Sequence, residues 1–320
     1  MNQPTTGRRL EDFRAALRSA GYLAEEGLAT TIYLAYALQK PLFLEGEPGV
    51  GKTEVAKVLC QLLDAELIRV QCYRGLDANM VLFEWNYLKQ IMSIRISEME
   101  LRTQRESVPD ALDPIDKEQL MDEIFSEKFL VERPLLKALR SERPPVLLID
   151  EIDRSDEEFE AFLLEFLSDF QISVPEIGTI KARTRPYVII TSNRTREVHD
   201  ALRRRCLYYW IDYPTFEKEL GIIQVKMPDA STKLAEQVCA FVQTVRKEDF
   251  TKKPGLAETL DWVAVLLQLD AEQLDEETVR RTLGAIFKTS EDVEEASGKL
   301  PRLLRDARTF LQFRNAGRSE

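Results

Sequence analysis

Residues 46–53 read Gly46-Glu47-Pro48-Gly49-Val50-Gly51-Lys52-Thr53, one residue after the apolar run Leu42-Phe43-Leu44. The stretch matches the phosphate-loop pattern GxxxxGKS/T at every fixed position. Its glycines let backbone N–H groups turn toward a polyphosphate, and the helix predicted over Glu54–Leu63 adds the positive end of its dipole. Lys52 is then placed to reach the β- and γ-phosphates and Thr53 to bind Mg²⁺. The predicted nucleotide-binding set is this loop together with Glu54.

A second chemical signal is the apolar run Val146-Leu147-Leu148-Ile149, which ends in Asp150 and Glu151. Ligands of open parallel sheets bind at the carboxyl ends of the strands. We therefore expect Asp150 to hold the metal, usually through water, and Glu151 to orient or deprotonate the attacking water. Two adjacent acids after a strand are common in themselves, and they point to a nucleotide site only in combination with the phosphate loop.

Other apolar runs predict the remaining strands of the sheet. Leu67–Val70, Val188–Ile190 and Leu207–Ile211 are short and bounded by polar residues, and helical patterns separate them. This alternation favours an α/β fold with a parallel sheet and helices on both faces. One helix is predicted to start with a capping box at Ser155 and Glu158, and the phenylalanines and leucines that follow at helical spacing are expected to be core.

Two stretches interrupt the alternation of strands and helices. Residues 88–128 are dense in charge and hold no apolar run, which predicts inserted surface helices around a loop at Val108 to Asp113. An insertion of this size usually serves a partner, and a solvated elaboration without a role is the alternative. The stretch Val174–Ile180 predicts a small hairpin around a glycine turn.

Strand signals end after Tyr213-Pro214, and helical patterns fill the rest of the chain. We therefore place a domain boundary near Pro214, with a nucleotide-binding domain over residues 1–213 and a helical domain over residues 214–320. The predicted C-terminal helices are Ala235–Lys247, Leu256–Leu269, Asp275–Phe287 and Gly298–Phe313.

Composition limits the classes of function. The chain has 320 residues and a formal net charge of −11, which argues against a surface that binds nucleic acid by neutralising phosphates. No apolar run approaches the roughly 18 residues of a membrane span, and the first residues do not resemble a secretory signal. We expect a cytoplasmic protein without stable membrane insertion.

Cysteine and histidine are too sparse for the sites they usually build. The four cysteines form no CxxC pair, and His199 is the only histidine. A zinc site would need ligands from unrelated segments, and His199 stands in a polar string typical of a surface loop. Any chemistry is therefore expected to use carboxylates, Lys, Arg and bound ligands.

The order of these motifs resembles that of the AAA+ ATPases. The phosphate loop corresponds to Walker A and Asp150-Glu151 to Walker B. Thr191-Ser192-Asn193, at the end of a later strand, corresponds to sensor 1, and Leu202-Arg203-Arg204-Arg205-Cys206 stands where the family carries its arginine finger. The resemblance covers roughly residues 25–270. It implies a P-loop AAA+ fold, with a five-stranded parallel sheet flanked by helices and then a small all-helical lid domain.

Four segments resemble the MoxR family more narrowly, and within it the CoxD-type members associated with maturation of molybdenum-dependent carbon monoxide dehydrogenase. They are Pro41–Thr53, Asp150–Arg154, Val174–Ile180 and Thr191–Arg194.

The resemblance assigns roles to residues outside the two Walker motifs. Asn193 would hydrogen-bond the γ-phosphate and the lytic water, and an amide that satisfies the core is the alternative. Arg205 would reach into the site of a neighbouring subunit and stabilise charge on the transferred phosphoryl group. Arg204 and Arg203 can share that work, and a solvated basic turn is the alternative. One departure is Pro254–Leu260, which contains no arginine where many AAA+ lids carry sensor 2.

The expected function follows from the resemblance. It implies a Mg²⁺-dependent ATP hydrolase that forms a ring, most simply a hexamer, and remodels a client protein during assembly of a metal-cofactor enzyme. A partner with a von Willebrand factor A domain is often associated with the family, and the residues do not identify the client. The competing classes are a DNA-directed AAA+ ATPase, of the clamp-loader or branch-migration type, and a small-molecule kinase with the same phosphate loop.

Overall fold

The computed structural model describes residues 6–107, 123–174 and 177–316. The predicted loop at Val108 to Asp113 lies outside these ranges. The helices are α1 (Thr6–Ser19), α2 (Glu26–Leu38), α3 (Lys52–Leu63), α4 (Ala78–Leu82), α5 (Tyr87–Ser107), α6 (Pro134–Arg140), α7 (Glu157–Asp169), α8 (Asp200–Arg205), α9 (Phe216–Lys226), α10 (Thr232–Arg246), α11 (Leu256–Gln268), α12 (Glu276–Ile286) and α13 (Ser290–Ala316). The strands are β1 (Leu42–Gly46), β2 (Leu67–Gln71), β3 (Phe83–Trp85), β4 (Leu130–Glu132), β5 (Val146–Asp150), β6 (Gln171–Val174), β7 (Gly178–Lys181), β8 (Tyr187–Ser192) and β9 (Leu207–Ile211).

The main sheet is the predicted parallel, five-stranded one, with the order β2-β5-β8-β1-β9. Strand β5 is buried along its whole length, as expected for an inner strand with helices on both faces. Strand β2 lies at an edge, and it alternates between buried residues, Ile68 and Val70, and the exposed residues Leu67, Arg69 and Gln71. This alternation gives Arg69 and Gln71 a common face beside β5.

The chain divides into two compact units. The first comprises Met1–Ala37, Leu44–Leu63 and Tyr208–Glu320, and the second comprises Leu38–Phe43 and Asp64–Leu207. The first unit therefore contains the phosphate loop and the C-terminal helices, and the second contains the acidic pair that ends β5. The boundary near Pro214 stays a prediction.

Helices after Pro214 build the largest core of the first unit. Trp262 is fully buried at its centre, and its indole N–H donates to the Thr282 hydroxyl at 2.8 Å. Helix α9 was not predicted, because its charged residues and Gly221 weaken the apolar period. Helix α10 starts three residues before the predicted Ala235, since the Ser231 hydroxyl caps it by accepting from the N–H of Leu234.

The predicted capping box of α7 is wrong by one residue. Asp156 is the N-cap, and its carboxylate accepts from the N–H of Phe159 at 3.0 Å. The Ser155 hydroxyl instead donates to the carbonyl of Ile152 at 2.8 Å and closes a short 3₁₀ turn over Ile152–Arg154. The apolar stripe of α7 is in the core of the second unit, as predicted.

Two short paired strands, which the sequence did not indicate, flank the insertion. Strands β3 and β4 pair antiparallel, with Phe83 opposite Glu132, and α5 extends from Tyr87 to Ser107 between them in sequence. Three-residue strands are too short to produce an apolar run. The predicted hairpin is confirmed in β6 and β7, where Val174 pairs with Gly178; residues 175–176 in its turn are outside the described ranges.

Within the described ranges, none of the helices has both the length and the apolar character that crossing a bilayer requires. The four cysteines are free thiols. In the same ranges, no group of three or more histidine, cysteine or acidic side chains is arranged to hold a metal ion.

Candidate functional site

The phosphate loop connects β1 to α3 in the first unit. Gly49 has a backbone φ of +75° and Gly51 one of +94°, a region that L-residues rarely adopt. Val50 between them is buried and anchors the loop, while Glu47 and Pro48 are exposed. Helix α3 begins at Lys52, two residues before the predicted start, so its first N–H groups belong to the loop itself.

The Lys52 side chain lies inside the curve of the loop. It is only 7% exposed, and its ammonium donates to the carbonyls of Gly46 at 2.8 Å and Glu47 at 2.7 Å. A buried ammonium needs such partners, because an uncompensated charge out of water is costly. The loop therefore presents a fixed positive charge beside its backbone amides, which is the chemistry that a polyphosphate requires.

Thr53 and Glu54 occupy the first turn of α3. The Glu54 carboxylate pairs with Lys226 at 2.9 Å and Lys57 at 3.2 Å. Burial would raise the pKa of Glu54, but hydrogen bonds from Lys226 and Lys57 outweigh it and lower that pKa. In this structure Glu54 therefore forms ion pairs with two lysines. A contact between Glu54 and a nucleotide stays a prediction.

The start of α11 packs on the phosphate loop through backbone groups. The N–H of Ala257 donates to the carbonyl of Gly49 at 3.1 Å. A side chain on Gly255 would meet the carbonyl oxygen of Pro48 at 2.7 Å, so only glycine permits this approach. The Glu258 carboxylate caps the helix by accepting from the N–H of Gly255 at 3.0 Å. The start of α11, where the sensor 2 arginine is missing, thus contacts the loop through backbone groups.

A buried arginine lies behind this contact, and sequence reasoning missed it. Arg246 donates to both oxygens of Glu219, at 2.9 and 2.7 Å, and to the carbonyl of Pro254 at 2.8 Å. Burial raises the pKa of Tyr213 to about 12, Glu47 adds to the rise, and the nearby Arg246 opposes it. The sequence does carry a signal for it, because Arg246 stands at a position of α10 where the helical spacing predicts a buried apolar residue.

Asp150 ends strand β5 in the second unit and is 3% exposed. Its Oδ1 accepts from the Thr191 hydroxyl at 2.5 Å. Its Oδ2 accepts from the Arg69 guanidinium at 2.5 Å. Thr191 belongs to the predicted sensor 1 strand, whereas Arg69 was not predicted to take part, because it stands on a different strand far away in sequence.

Glu151 follows in a left-handed backbone conformation, with φ 57° and ψ 51°. Such a conformation is strained for a residue with a side chain and is frequent at functional sites. The Glu151 carboxylate accepts from the Asn193 amide at 3.1 Å and the Gln71 amide at 2.9 Å, and Arg154 pairs with it at 3.1 Å. The structure therefore brings together two predicted site residues, Glu151 and Asn193.

Asp153 fixes the end of β8 and was not predicted as a site residue. It accepts from the N–H of Asn193 at 3.0 Å and from the Thr195 hydroxyl at 2.6 Å. Burial would raise the pKa of Asp153, but the hydrogen bonds from Thr195 and Asn193 lower it. A charged Asp153 therefore holds the backbone that carries Asn193.

The acids at the end of β5 fit a divalent cation. Burial first, and then the negative charges of Asp150 and its acidic neighbours, raise the pKa of the Cys72 thiol to about 12. Carboxylate oxygens are the protein ligands that Mg²⁺ prefers, and Mg²⁺ usually keeps several waters. Within the second unit, Asp150 is the side chain that would hold it; the part of Thr53 in holding the ion stays a prediction.

A comparison with known protein families identifies the family of this chain. Residues 41–206 match the model of the AAA domain, dynein-related subfamily. The chain belongs to this AAA family. The match spans more than half of the chain and includes the phosphate loop, the acidic pair, Asn193 and the three arginines of α8. This AAA protein is therefore an ATP hydrolase that uses ATP and Mg²⁺.

Solved structures with a similar fold have a low sequence identity to this AAA protein. A point mutant of RuvB from Thermotoga maritima is 18% identical, with a TM-score of 0.45, over 86% of this chain and 69% of that one. The Thermotoga maritima RuvB Holliday junction branch migration motor is 16% identical, with a TM-score of 0.40, over 89% and 69%. A Cytophaga hutchinsonii ATCC 33406 protein assigned as an ATPase is 12% identical, with a TM-score of 0.44, over 91% and 87%. No curated protein sequence matches the chain.

The three predicted finger arginines of the AAA domain differ in their surroundings. Arg203 is half-buried, and its guanidinium lies 5.9 Å from the centre of the Phe43 ring. Arg204 and Arg205 are exposed at the end of α8, and neither forms an ion pair with a residue in the described ranges. His199, predicted in a surface loop, is exposed and caps α8, with its Nδ1 accepting from the N–H of Ala201 at 3.2 Å.

Proposed function

We propose that this AAA protein is a ring-forming ATPase of the MoxR type that remodels a client protein. Within that type, the sequence resemblance favours the CoxD-like members, whose clients are enzymes of the molybdenum- and copper-dependent carbon monoxide dehydrogenase kind. A protein with a von Willebrand factor A domain is the expected partner, and the cytoplasm the expected location. A hexamer is the expected assembly.

The proposed roles of the site residues follow the Walker motifs. Lys52 and the amides of the loop bind the triphosphate, and Thr53 and Asp150 hold Mg²⁺. Glu151 orients and deprotonates the attacking water, which Asn193 helps to position. The hydrogen bond between Asn193 and Glu151 supports this pairing, because a base needs a second group to fix its orientation. The bound metal would neutralise charge that develops on the phosphates.

The observation that carries a protein client is an exposed apolar face on α5. Its residues recur at helical spacing, and each is at least half exposed; they are Leu88, Ile91, Met92, Ile96 and Met99. Exposed apolar faces of this kind mark protein-binding surfaces, and methionines adapt to varied partners. A DNA-binding face would instead present lysines and arginines to phosphates. The insertion is therefore proposed as the client-binding element.

The client proposal is tested with the Glu151→Gln variant held in ATP. We expect this variant to retain a metalloenzyme subunit or a von Willebrand factor A protein, identified by mass spectrometry. Adding Met92→Gln and Ile96→Gln on α5 should reduce the captured amount several-fold, because both side chains lie on the apolar face. The matched control is Phe313→Gln, which removes an exposed apolar side chain from α13 and should leave capture unchanged.

The same protein separates the proposal from a DNA-directed ATPase. Hydrolysis measured with and without duplex DNA, at low and high salt, should show no stimulation. Stimulation by DNA that falls steeply with salt would reverse the assignment, because that dependence reports neutralised phosphates. Transfer of phosphate from ATP to a metabolite by a monomer would instead support the kinase class.

The ring is tested by mixing two inactive variants. Arg205→Ala should bind ATP normally and lose about 10³-fold in turnover, as other nucleotide hydrolases do without their arginine finger. Mixing it with Lys52→Ala should restore part of the activity, since a mixed boundary combines an intact loop with an intact finger. Arg204→Ala is the comparison that identifies the finger. A protein that stays monomeric at every concentration, with no restored activity, would contradict the ring.

A further inference from the structure

The edge strand β2 places two polar side chains on the two acids that end β5. Gln71 lies opposite Asp150 in the parallel register, and Arg69 shares its exposed face. The Arg69 guanidinium donates to Asp150 Oδ2 at 2.5 Å, and the Gln71 amide donates to Glu151 Oε2 at 2.9 Å. Arg69 also donates to the Gln71 side-chain oxygen. Each acid therefore has its own partner on the same strand.

The Arg69–Asp150 pair is asymmetric in exposure. The Asp150 side chain is 4% exposed, whereas that of Arg69 is 51% exposed. Asp150 is also fixed by the Thr191 hydroxyl on its other oxygen. Releasing the pair therefore leaves the carboxylate in place and returns a guanidinium to water, where Arg is always charged and readily solvated.

We propose that Arg69 is a positioning residue that neutralises Asp150 in the absence of metal and competes with Mg²⁺ for it. This inference rests on the proposed role of Asp150 in holding Mg²⁺. The Arg69 guanidinium at Oδ2 and a hydrated Mg²⁺ ion are both stabilised by the negative charge of Asp150, and the two cations repel each other. Arg69 thus raises the concentration of Mg²⁺ that the site requires, and it moves away from Asp150 when the ion is held.

A purely structural ion pair would behave differently. The nearby arginines Arg154 and Arg196 pair with Glu151 and Glu160, so ion pairs alone do not distinguish Arg69. Arg69 differs from these arginines in the acid that it contacts, because Asp150 is the residue proposed to hold the metal. If Arg69 only stabilised the fold, removing it would lower the melting temperature equally with and without Mg²⁺.

The test is a titration of free Mg²⁺ with a fluorescent, non-hydrolysable ATP analogue bound to the full chain. Arg69→Gln should lower the half-saturating Mg²⁺ concentration by about threefold, the size expected for a half-exposed ion pair. Binding in EDTA should not change, because the competition needs the ion. The matched control is Arg154→Gln, which removes an arginine side chain of similar exposure, 56%, from the neighbouring Glu151. We expect its midpoint to stay at the wild-type value.

Thermal unfolding gives a second readout. The gain in melting temperature on adding Mg²⁺ and the analogue should be larger for Arg69→Gln than for the wild type, since the unpaired Asp150 destabilises only the metal-free state. Should Arg69→Gln not fold, Arg69→Lys, whose ammonium makes a single-point contact instead of the planar fork of the guanidinium, should shift the midpoint in the same direction by less. An unchanged or higher midpoint, or an equal shift in Arg154→Gln, overturns the inference. Wild-type protein that binds no nucleotide would instead overturn the proposed function.

Discussion

Lys52→Ala is expected to lower ATP turnover by at least about 10²–10³-fold, the usual loss when a preorganised charge is removed from a transferring phosphoryl group. The ammonium of Lys52 is held inside the loop by the carbonyls of Gly46 and Glu47, so alanine leaves nothing in its place. Nucleotide binding should weaken in the same variant, because the charge is present before the reaction starts. Equilibrium binding of labelled ATP and release of phosphate measure the two effects separately.

Lys57→Ala is the control for this substitution. Lys57 stands on the same helix and is mostly exposed, with Glu54 as its partner. Its removal takes away one positive charge without touching the loop, and we expect turnover near the wild-type value. Comparable losses in both variants would mean that net charge, rather than the position of Lys52, determines activity.

Glu151→Gln is expected to bind ATP and to lose about 10²–10⁴-fold in turnover, the range that a general base contributes. Glutamine has nearly the same shape and keeps one acceptor oxygen, so it retains one of the two contacts with Asn193 and Gln71, which donate to different oxygens of Glu151. An amide does not take a proton from water, and the variant should therefore accumulate in the ATP-bound state. Rapid-quench measurement of hydrolysis within a single turnover checks the loss.

Glu158→Gln provides the matched control for the base. Glu158 is an exposed acid in the first turn of α7, seven positions further along the chain. Its substitution should leave hydrolysis unchanged. If Glu151→Gln hydrolysed ATP at the wild-type rate, the base would have to be another residue.

The parts of the site that the sequence predicted are those with a local pattern. The phosphate loop has its glycines, lysine and threonine within eight consecutive residues, and the two acids stand together directly after the apolar run Val146–Ile149. Such spacing is set by backbone geometry over a few residues, so it is visible without the fold. Four of the five strands were predicted for the same reason, since a buried strand is a short continuous apolar run. Strand β2 was predicted from Leu67–Val70, although Arg69 interrupts that run.

Partners that meet only through the fold were not predicted. Arg69 contacts Asp150 across 81 positions of sequence, and nothing near either residue indicates the pairing. The same holds for Arg246, whose partner Glu219 lies 27 positions away on another helix. The register of a sheet and the packing of helices decide these contacts.

Local competition explains the errors at element ends. Ser155 and Asp156 are both good caps, and the 3₁₀ turn before them uses the serine. Helix α9 and strands β3 and β4 lack a clear apolar period. Likewise, the sequence alone does not distinguish the three consecutive arginines of α8. The structure does, because Arg203 is half-buried whereas Arg204 and Arg205 are exposed.

The most direct test of the account is the binding and hydrolysis of ATP by the purified wild-type chain, measured with Mg²⁺ over a range of protein concentrations. We expect one nucleotide bound for each chain and a turnover per chain that rises as the protein assembles. Protein that binds no ATP at any concentration would contradict the central claim that residues 46–53 form a working phosphate loop.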